Sequence, residues 1–296
     1  MTTINANFNK IIIIQSLKDF HTGNKLQDDL NVLTIFTEGV VSSELVDVGN
    51  KKEFLESLTE IKKDIQDDKY RPIIHIEAHG DEDNIILASG ELIPWQEMKI
   101  PLAEINEATR FNLIVCISAC YGVCLAKAFT INDRAPWLAL LGPKEEMYPE
   151  NLLKDYTGFY ENILKTDNSS MAKALERLND DLTKKYNAKY LFINAKMLFE
   201  WSWIKYLRDD CSNVNLNKRA NEILKKLRKE PPKYLPSRND IKKDILKDRP
   251  KSFSKSKEIF FMMDLFKENQ DRFLVDYEKI LQKANESQQG VPEKTK

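Results

Sequence analysis

The chain has 296 residues, of which 42% are hydrophobic and 31% charged, and its formal net charge is −1. This composition predicts a soluble globular protein of one large or two modest domains and excludes a fibrous or low-complexity chain. No apolar run approaches ~20 residues and the first residues lack a basic, cleavable leader, so we expect neither a membrane-spanning helix nor a secretory signal. Three of the four cysteines lie within nine residues, which is unlike a disulfide framework and predicts a cytoplasmic protein.

Short apolar runs alternate with helical periodicity in the first half of the chain, which predicts βαβ units and a mostly parallel sheet. We predict strands at residues 11–14, 32–36, 72–78, 112–117 and 137–141. Helices are predicted at residues 50–65, 100–110 and 121–129. Two short apolar runs around Ser89-Gly90 predict a hairpin at residues 85–95.

After residue 149 the pattern becomes helical and stays so. The large apolar residues of 189–207 predict a buried helix, prolines interrupt the helical run at 231, 232 and 236, and charged helices follow at 254–285. A further apolar stripe at helical spacing is formed by Met171, Leu175, Leu178 and Leu182. We therefore predict a three-layer α/β/α domain at residues 1–168 and a helical, basic C-terminal region at residues 169–296.

The near-zero net charge conceals two blocks of opposite sign. Residues 1–204 hold 22 basic and 31 acidic residues, a net charge of −9, whereas residues 205–296 hold 23 and 15, a net charge of +8. Such blocks indicate two parts with different surfaces. The two blocks either attract each other, which is the interpretation we favour, or the basic block binds an acidic partner. Because acidic residues are interleaved with the basic ones, we do not expect nucleic-acid binding.

Two predicted strands end in residues that can carry chemistry. His79-Gly80 closes one strand and Ser118-Ala119-Cys120 closes the next parallel one. Active sites form at the carboxyl ends of parallel strands, so the histidine and the cysteine are expected to face one crevice. An imidazole favours the reactive thiolate and can protonate a departing amine, and a helix directly after Cys120 would favour the thiolate as well.

These two blocks resemble those of the clan CD cysteine peptidases, the caspase-like group, and look closest to those of the CHAT proteases. In that group an apolar strand ends in His-Gly and a later one ends in Ala-Cys, as residues 73–80 and 113–120 do here. His79 and Cys120 are 41 positions apart, and the predicted hairpin lies between them. The resemblance covers roughly residues 10–165.

The resemblance implies a caspase-like fold and a cysteine endopeptidase that acts on a protein substrate without a cofactor or metal. Cys120 would be the nucleophile, His79 the general acid/base, and the N–H groups of Gly80 and Cys120 the oxyanion donors. Ser118 is neutral where metacaspases and legumain-type enzymes carry an acidic residue, so their specificities are not implied. The resemblance also implies a latent effector of bacterial stress or antiphage defence that a regulatory partner or ligand activates.

Several residues near the two strand ends have alternative interpretations. Glu77 either orients His79, lines a pocket for a basic side chain, or forms a polar pair with His75 at the sheet rim, which we favour. Asp81 begins an acidic run that could attract basic substrates, although a solvated loop is the simpler interpretation. Cys116 and Cys124 are expected to pack in the core rather than to bind zinc with Cys120.

The sequence also permits a function that is not enzymatic. The long charged helical extension exceeds what a minimal peptidase needs. The chain is therefore alternatively interpreted as a catalytically silent scaffold or binding module of the same fold that acts through its helical C-terminal region.

Overall fold

Runs of β-branched and apolar residues form one mostly parallel sheet in the computed structural model, which describes residues 8–68, 70–165, 188–229 and 234–289. The strands found in these ranges are β1 (Lys10–Ser16), β2 (Ser42–Asp47), β3 (Pro72–Gly80), β4 (Asn84–Ile86), β5 (Leu92–Pro94), β6 (Ile114–Ser118), β7 (Ala139–Pro143) and β8 (Tyr190–Asn194). Their order is β2-β1-β3-β6-β7-β8. Neighbours are parallel up to β7, and β8 is antiparallel to β7. The β4–β5 hairpin extends the end of β3.

Helices cover the sheet. They are α1 (Thr22–Leu33), α2 (Lys51–Asp68), α3 (Lys99–Ala108) and α4 (Pro149–Lys165). Helix α1 packs with α4, and α2 packs with α3. Ile11, Ile13 and Ile73 are buried in one cluster with residues of α1 and α4. Because side chains alternate along a strand, the equally buried Ile12 and Ile74 face the opposite layer. The predicted three-layer α/β fold with a mostly parallel sheet and C-terminal helices is confirmed.

The prediction of a strand at residues 32–36 is wrong. Val32 lies in the last turn of α1, and a short 3₁₀ helix, Thr34–Thr37, follows. Leu26, Leu30 and Leu33 are buried at helical spacing, so Leu33 belongs to the buried face of α1, whereas Val32, Ile35 and Phe36 are exposed. A short apolar run does not distinguish strand from helix, and the edge strand is formed instead by the more polar β2.

The prediction that the chain stays helical after residue 149 is also wrong, because residues 190–194 form β8. Leu140 of β7 pairs with Ile193 of β8, and Leu141 pairs with Phe192. A strand that completes a distant sheet edge is decided by partners that no local periodicity reveals. Only residues 195–205 of the helix predicted at 189–207 form an α-helix, and a π-helical turn, Tyr206–Asp210, follows it.

Contacts divide the chain into two units, which we call the sheet unit and the helical unit. The sheet unit comprises Met1–Phe129 and Ala135–Ala195, and the helical unit comprises Thr130–Arg134 and Lys196–Lys296. The predicted boundary between residues 168 and 169 lies outside the described residues. The predicted stripe from Met171 to Leu182 and the proline pair at 231–232 lie outside them too.

The helical unit is built from short helices around an aromatic core. Its helices are α5 (Ala195–Lys205), α6 (Asn213–Leu227), α7 (Arg238–Lys247), α8 (Arg249–Phe260), α9 (Asn269–Arg272) and α10 (Tyr277–Gln289). Phe199 and Trp203 of α5 contact Phe253 of α8. Trp203 is buried whereas Trp201 is 46% exposed, so only one of these tryptophans belongs to the core. Of the helices described here, none combines the length and apolar character that a membrane crossing requires.

Candidate active site

The ends of β3 and β6 lie in contact. The two strands pair in parallel up to Glu77 and Ser118, and His79 and Cys120 each follow two positions later. A Cβ atom built on Gly80 would lie 2.6 Å from the carbonyl oxygen of Cys120 and 3.2 Å from the Cβ of Ala119. Glycine is therefore required at position 80, and the backbones that carry the histidine and the cysteine adjoin at one edge of the sheet.

The Cys120 thiol is hydrogen-bonded to the loop that joins β7 to α4. The Met147 N–H donates to Sγ at 3.4 Å, and the thiol donates to the Met147 carbonyl oxygen at 3.6 Å. The neighbouring Tyr121 N–H donates to the carbonyl oxygen of Glu145 at 3.3 Å. Cys120 is partly exposed. This loop therefore fixes the position of the thiol while leaving part of the residue open to solvent.

A tight turn follows Cys120. Tyr121 adopts a left-handed conformation with φ of 57°, which is uncommon for a residue other than glycine. A Cβ atom on Gly122 would lie 2.5 Å from Cγ2 of Ile117, and one on Gly142 would lie 2.9 Å from the backbone of Gly122. The two glycines let the turn pack directly against β6 and β7, which holds Cys120 at the strand end.

The helix predicted at residues 121–129 is present, and it is a 3₁₀ helix. It spans the seven residues Gly122–Ala128 and begins two positions after Cys120. The left-handed Tyr121 and the close packing of Gly122 give the turn its shape, and neither is visible in the apolar pattern of the segment.

His79 is the next-to-last residue of β3, and its side chain is exposed. Its ring meets the ring of Phe20 edge to face, with centroids 6.4 Å apart. Within the described ranges, no side chain or backbone group hydrogen-bonds to this imidazole, and the Cys120 thiol is bonded to Met147 instead. The structure therefore brings the two residues to one edge of the sheet without joining them by a hydrogen bond.

Glu77 forms the expected polar pair with His75 and also binds Thr22. Its Oε1 lies 2.9 Å from Nε2 of His75, and its Oε2 accepts a hydrogen bond from the Thr22 hydroxyl at 2.8 Å. His75 Nδ1 lies 3.0 Å from the Tyr160 hydroxyl. Glu77 is only 1% exposed, so it neither lines an open pocket nor orients His79. The favoured pair with His75 exists, but it lies in the interior rather than at the sheet rim.

This buried polar chain, which runs from Thr22 through Glu77 and His75 to Tyr160, joins α1, β3 and α4. Burial first, and then the nearby Cys116 thiol, raise the pKa of Tyr160 well above its ordinary value, so its hydroxyl stays neutral. Nε2 of His75 faces the Glu77 carboxylate, an acceptor, so Nε2 carries a proton, and Nδ1 lies against the Tyr160 hydroxyl, which can donate or accept. Each ring nitrogen of the buried histidine is thereby satisfied.

Asp81 holds the turn that follows β3. One Asp81 carboxylate oxygen, Oδ1, accepts hydrogen bonds from the backbone N–H groups of Asp83 and Asn84, both at 2.7 Å, which closes the turn between β3 and β4. Partial desolvation raises its pKa, but these hydrogen bonds prevail and the pKa lies below the usual range.

Ser118 is buried, and its hydroxyl has no hydrogen-bond partner within the described part of the chain.

The other two cysteines of this segment are core residues, as predicted. Cys116 is fully buried in β6, and burial raises the pKa of its thiol to about 12. Cys124 is buried in the 3₁₀ helix. Across the ranges that the structure describes, no three histidine, cysteine or acidic side chains are grouped so that they could hold a metal ion.

The chain matches no protein-family model, and a comparison with curated proteins finds no match either.

Sequence reasoning missed the loop that binds the thiol. Glu145 and Met147 contribute backbone groups, and backbone hydrogen bonds place no requirement on side-chain type. The predicted strand at residues 137–141 was expected to stop at Gly142-Pro143, but both residues lie within β7, and nothing in the pattern indicates the return of the following residues to Cys120. Phe20, which contacts the His79 ring, follows β1 and likewise gave no sequence signal.

Proposed function

We propose that the chain is a cysteine endopeptidase in which Cys120 is the nucleophile and His79 the general acid/base. The observation that carries the proposal is the contact between Gly80 and the Cys120 carbonyl, because it fixes the two strand ends side by side. The exposure of His79 and the partial exposure of Cys120 support it, since both groups must reach a polypeptide.

The proposed reaction begins when His79 accepts the thiol proton and the Cys120 thiolate attacks the scissile carbonyl carbon. The carbonyl oxygen gains negative charge, which the N–H groups of Gly80 and Cys120 would stabilise. The carbon–nitrogen bond then breaks, His79 protonates the departing amine, and a thioester remains. Water, deprotonated by His79, hydrolyses the thioester and regenerates the thiol.

Release of the thiol from Met147 is a required step in this scheme. Sγ interacts with both the N–H and the carbonyl group of Met147, so these contacts must break, by rotation of the Cys120 side chain or movement of the loop, before the sulfur faces His79. This arrangement supports a latent enzyme that a protein partner or ligand activates, with a protein as its substrate. The resemblance implies a role in bacterial stress or antiphage defence, and the cysteine usage predicts a cytoplasmic location. Both stay predictions.

Cleavage-site proteomics tests the proposal. We expect the protein to generate new peptide termini in a lysate that contains its activator, and Cys120→Ala and His79→Ala to abolish them. Cys211→Ala and His21→Ala are matched controls, because Cys211 is a partly exposed free thiol and His21 an exposed imidazole, and both should retain cleavage. Full cleavage by Cys120→Ala would refute the proposal.

A second candidate is a catalytically silent binding module. The bonding of the thiol to Met147 instead of to the imidazole favours it, because an inert fold requires no dyad. Under this alternative, immobilised wild-type and Cys120→Ala proteins capture the same partner to the same extent and neither cleaves it. A partner that is cleaved by the wild type alone would exclude the alternative.

A further inference from the structure

A cavity of about 350 Å³ lies within the helical unit. Four lysines line it: Lys196 from α5, Lys257 from α8, and Lys279 and Lys283 from α10. Two acidic residues, Glu200 and Asp276, are the other charged groups of the lining, which therefore carries a net charge of +2. The size falls in the range of small-molecule sites.

Both acidic groups of the cavity already have partners. Glu200 Oε2 lies 2.9 Å from the ammonium of Lys283. Asp276 Oδ1 accepts hydrogen bonds from the N–H groups of Glu278 at 2.8 Å and Lys279 at 3.2 Å, so it caps the start of α10. These contacts leave Lys196, Lys257 and Lys279 without a carboxylate partner among the described residues.

Three unpaired ammonium groups on three helices repel one another when they line one cavity. A bound anion removes that repulsion. A monocarboxylate neutralises only one ammonium group. A phosphate monoester carries about −1.5 to −2 charges at pH 7 and three strong acceptor oxygens, which matches both the net charge and the three donors.

Aliphatic side chains form the rest of the wall. Val275 and Ile280 are buried, whereas Leu274 is 70% exposed at the cavity. An exposed leucine beside the lysines offers contact to an apolar part of the same ligand. Ligand sites combine such an apolar surface with a few polar groups that fix orientation.

We propose that this cavity binds a small organic phosphate monoester, with its phosphate on Lys196, Lys257 and Lys279 and its organic part against Leu274. The proposal does not depend on peptidase activity. It assigns to the helical unit a ligand-binding role that the resemblance and the candidate active site leave open.

Isothermal titration of the full-length protein tests the proposal, with AMP, octyl phosphate and inorganic phosphate as probes. We expect saturable one-to-one binding of AMP or octyl phosphate, and the tighter of the two shows whether the organic part is a ring or an alkyl chain. Inorganic phosphate should bind about tenfold more weakly, because it lacks the contact with Leu274.

Two double variants separate a built site from general charge attraction. Lys257→Gln with Lys279→Gln should weaken binding of the better probe at least tenfold. The control, Lys251→Gln with Lys255→Gln, removes the same charge from exposed positions of α8 outside the cavity and should leave binding unchanged. Circular dichroism should show that both variants stay folded. Equal weakening in both variants, or no saturable binding of either organic probe, would overturn the proposal.

Discussion

Replacing Gly80 by alanine should destabilise the sheet unit, because the space beside this residue is filled by backbone. The new Cβ would lie 2.6 Å from the Cys120 carbonyl oxygen, whereas real Cβ atoms essentially never approach closer than 3.0 Å. The ends of β3 and β6 must therefore separate by at least 0.4 Å, and the buried Ala119 Cβ at 3.2 Å must move as well.

Overpacking of this kind costs about 1–3 kcal/mol in the free energy of unfolding. In a unit of this size each 1 kcal/mol lowers the melting temperature by about 2–4 °C, so a decrease of roughly 2–12 °C is expected. Hydrogen–deuterium exchange should localise the effect, with faster exchange in peptides that cover residues 72–80 and 114–118. Circular dichroism supplies the melting temperature.

Gly158→Ala is the matched control. Gly158 lies in α4, and a Cβ atom there meets nothing within 4 Å. Alanine loses less backbone entropy than glycine in a helix, so this variant should gain about 0.5–1 kcal/mol. If Gly80→Ala melts at or above the wild-type temperature and exchanges normally at both strands, the inferred contact between the strand ends is incorrect.

Three further predictions concern other parts of the molecule. Tyr160→Phe should lower the free energy of unfolding by about 1–3 kcal/mol, measured by urea denaturation, because His75 Nδ1 loses its buried partner; unchanged stability would contradict the assigned chain of hydrogen bonds. Hydrogen bonding from Arg134 lowers the pKa of Asp264 in the folded protein. Their pairing should therefore stabilise the protein at pH values above about 3.9, the pKa of aspartate in an unfolded chain. This stabilisation should be lost as the pH falls through the pKa of Asp264 in the folded protein. Arg134→Gln should therefore cost about 0.5 kcal/mol at pH 7 and progressively less as the pH falls below about 3.9, and a pH-independent difference would oppose this account. Iodoacetamide at pH 8 should label Cys120 before Cys116, as mass spectrometry can show, because Cys116 is buried and its pKa is raised to about 12; faster labelling of Cys116 would contradict its burial.

The residues of the candidate site could be identified before their contacts were known. His79-Gly80 and Ala119-Cys120 follow apolar runs that are strong local signals for buried parallel strands, and parallel neighbours align their carboxyl ends. The role of Glu77 could not be identified in the same way. Its partners His75, two positions earlier, and Thr22, 55 positions earlier, depend on how α1 packs over the sheet.

Local sequence patterns were enough to predict the layered architecture, the buried strands β1, β3 and β6, and the two strand ends that carry His79 and Cys120, because periodicity and turn residues are local properties. Tertiary structure alone decided that residues 190–194 join the sheet and that the Met147 backbone binds the Cys120 thiol. It also decided that lysines from three helices line one cavity. Each of these features pairs groups far apart in the chain, and their meeting is set by packing that no local pattern encodes.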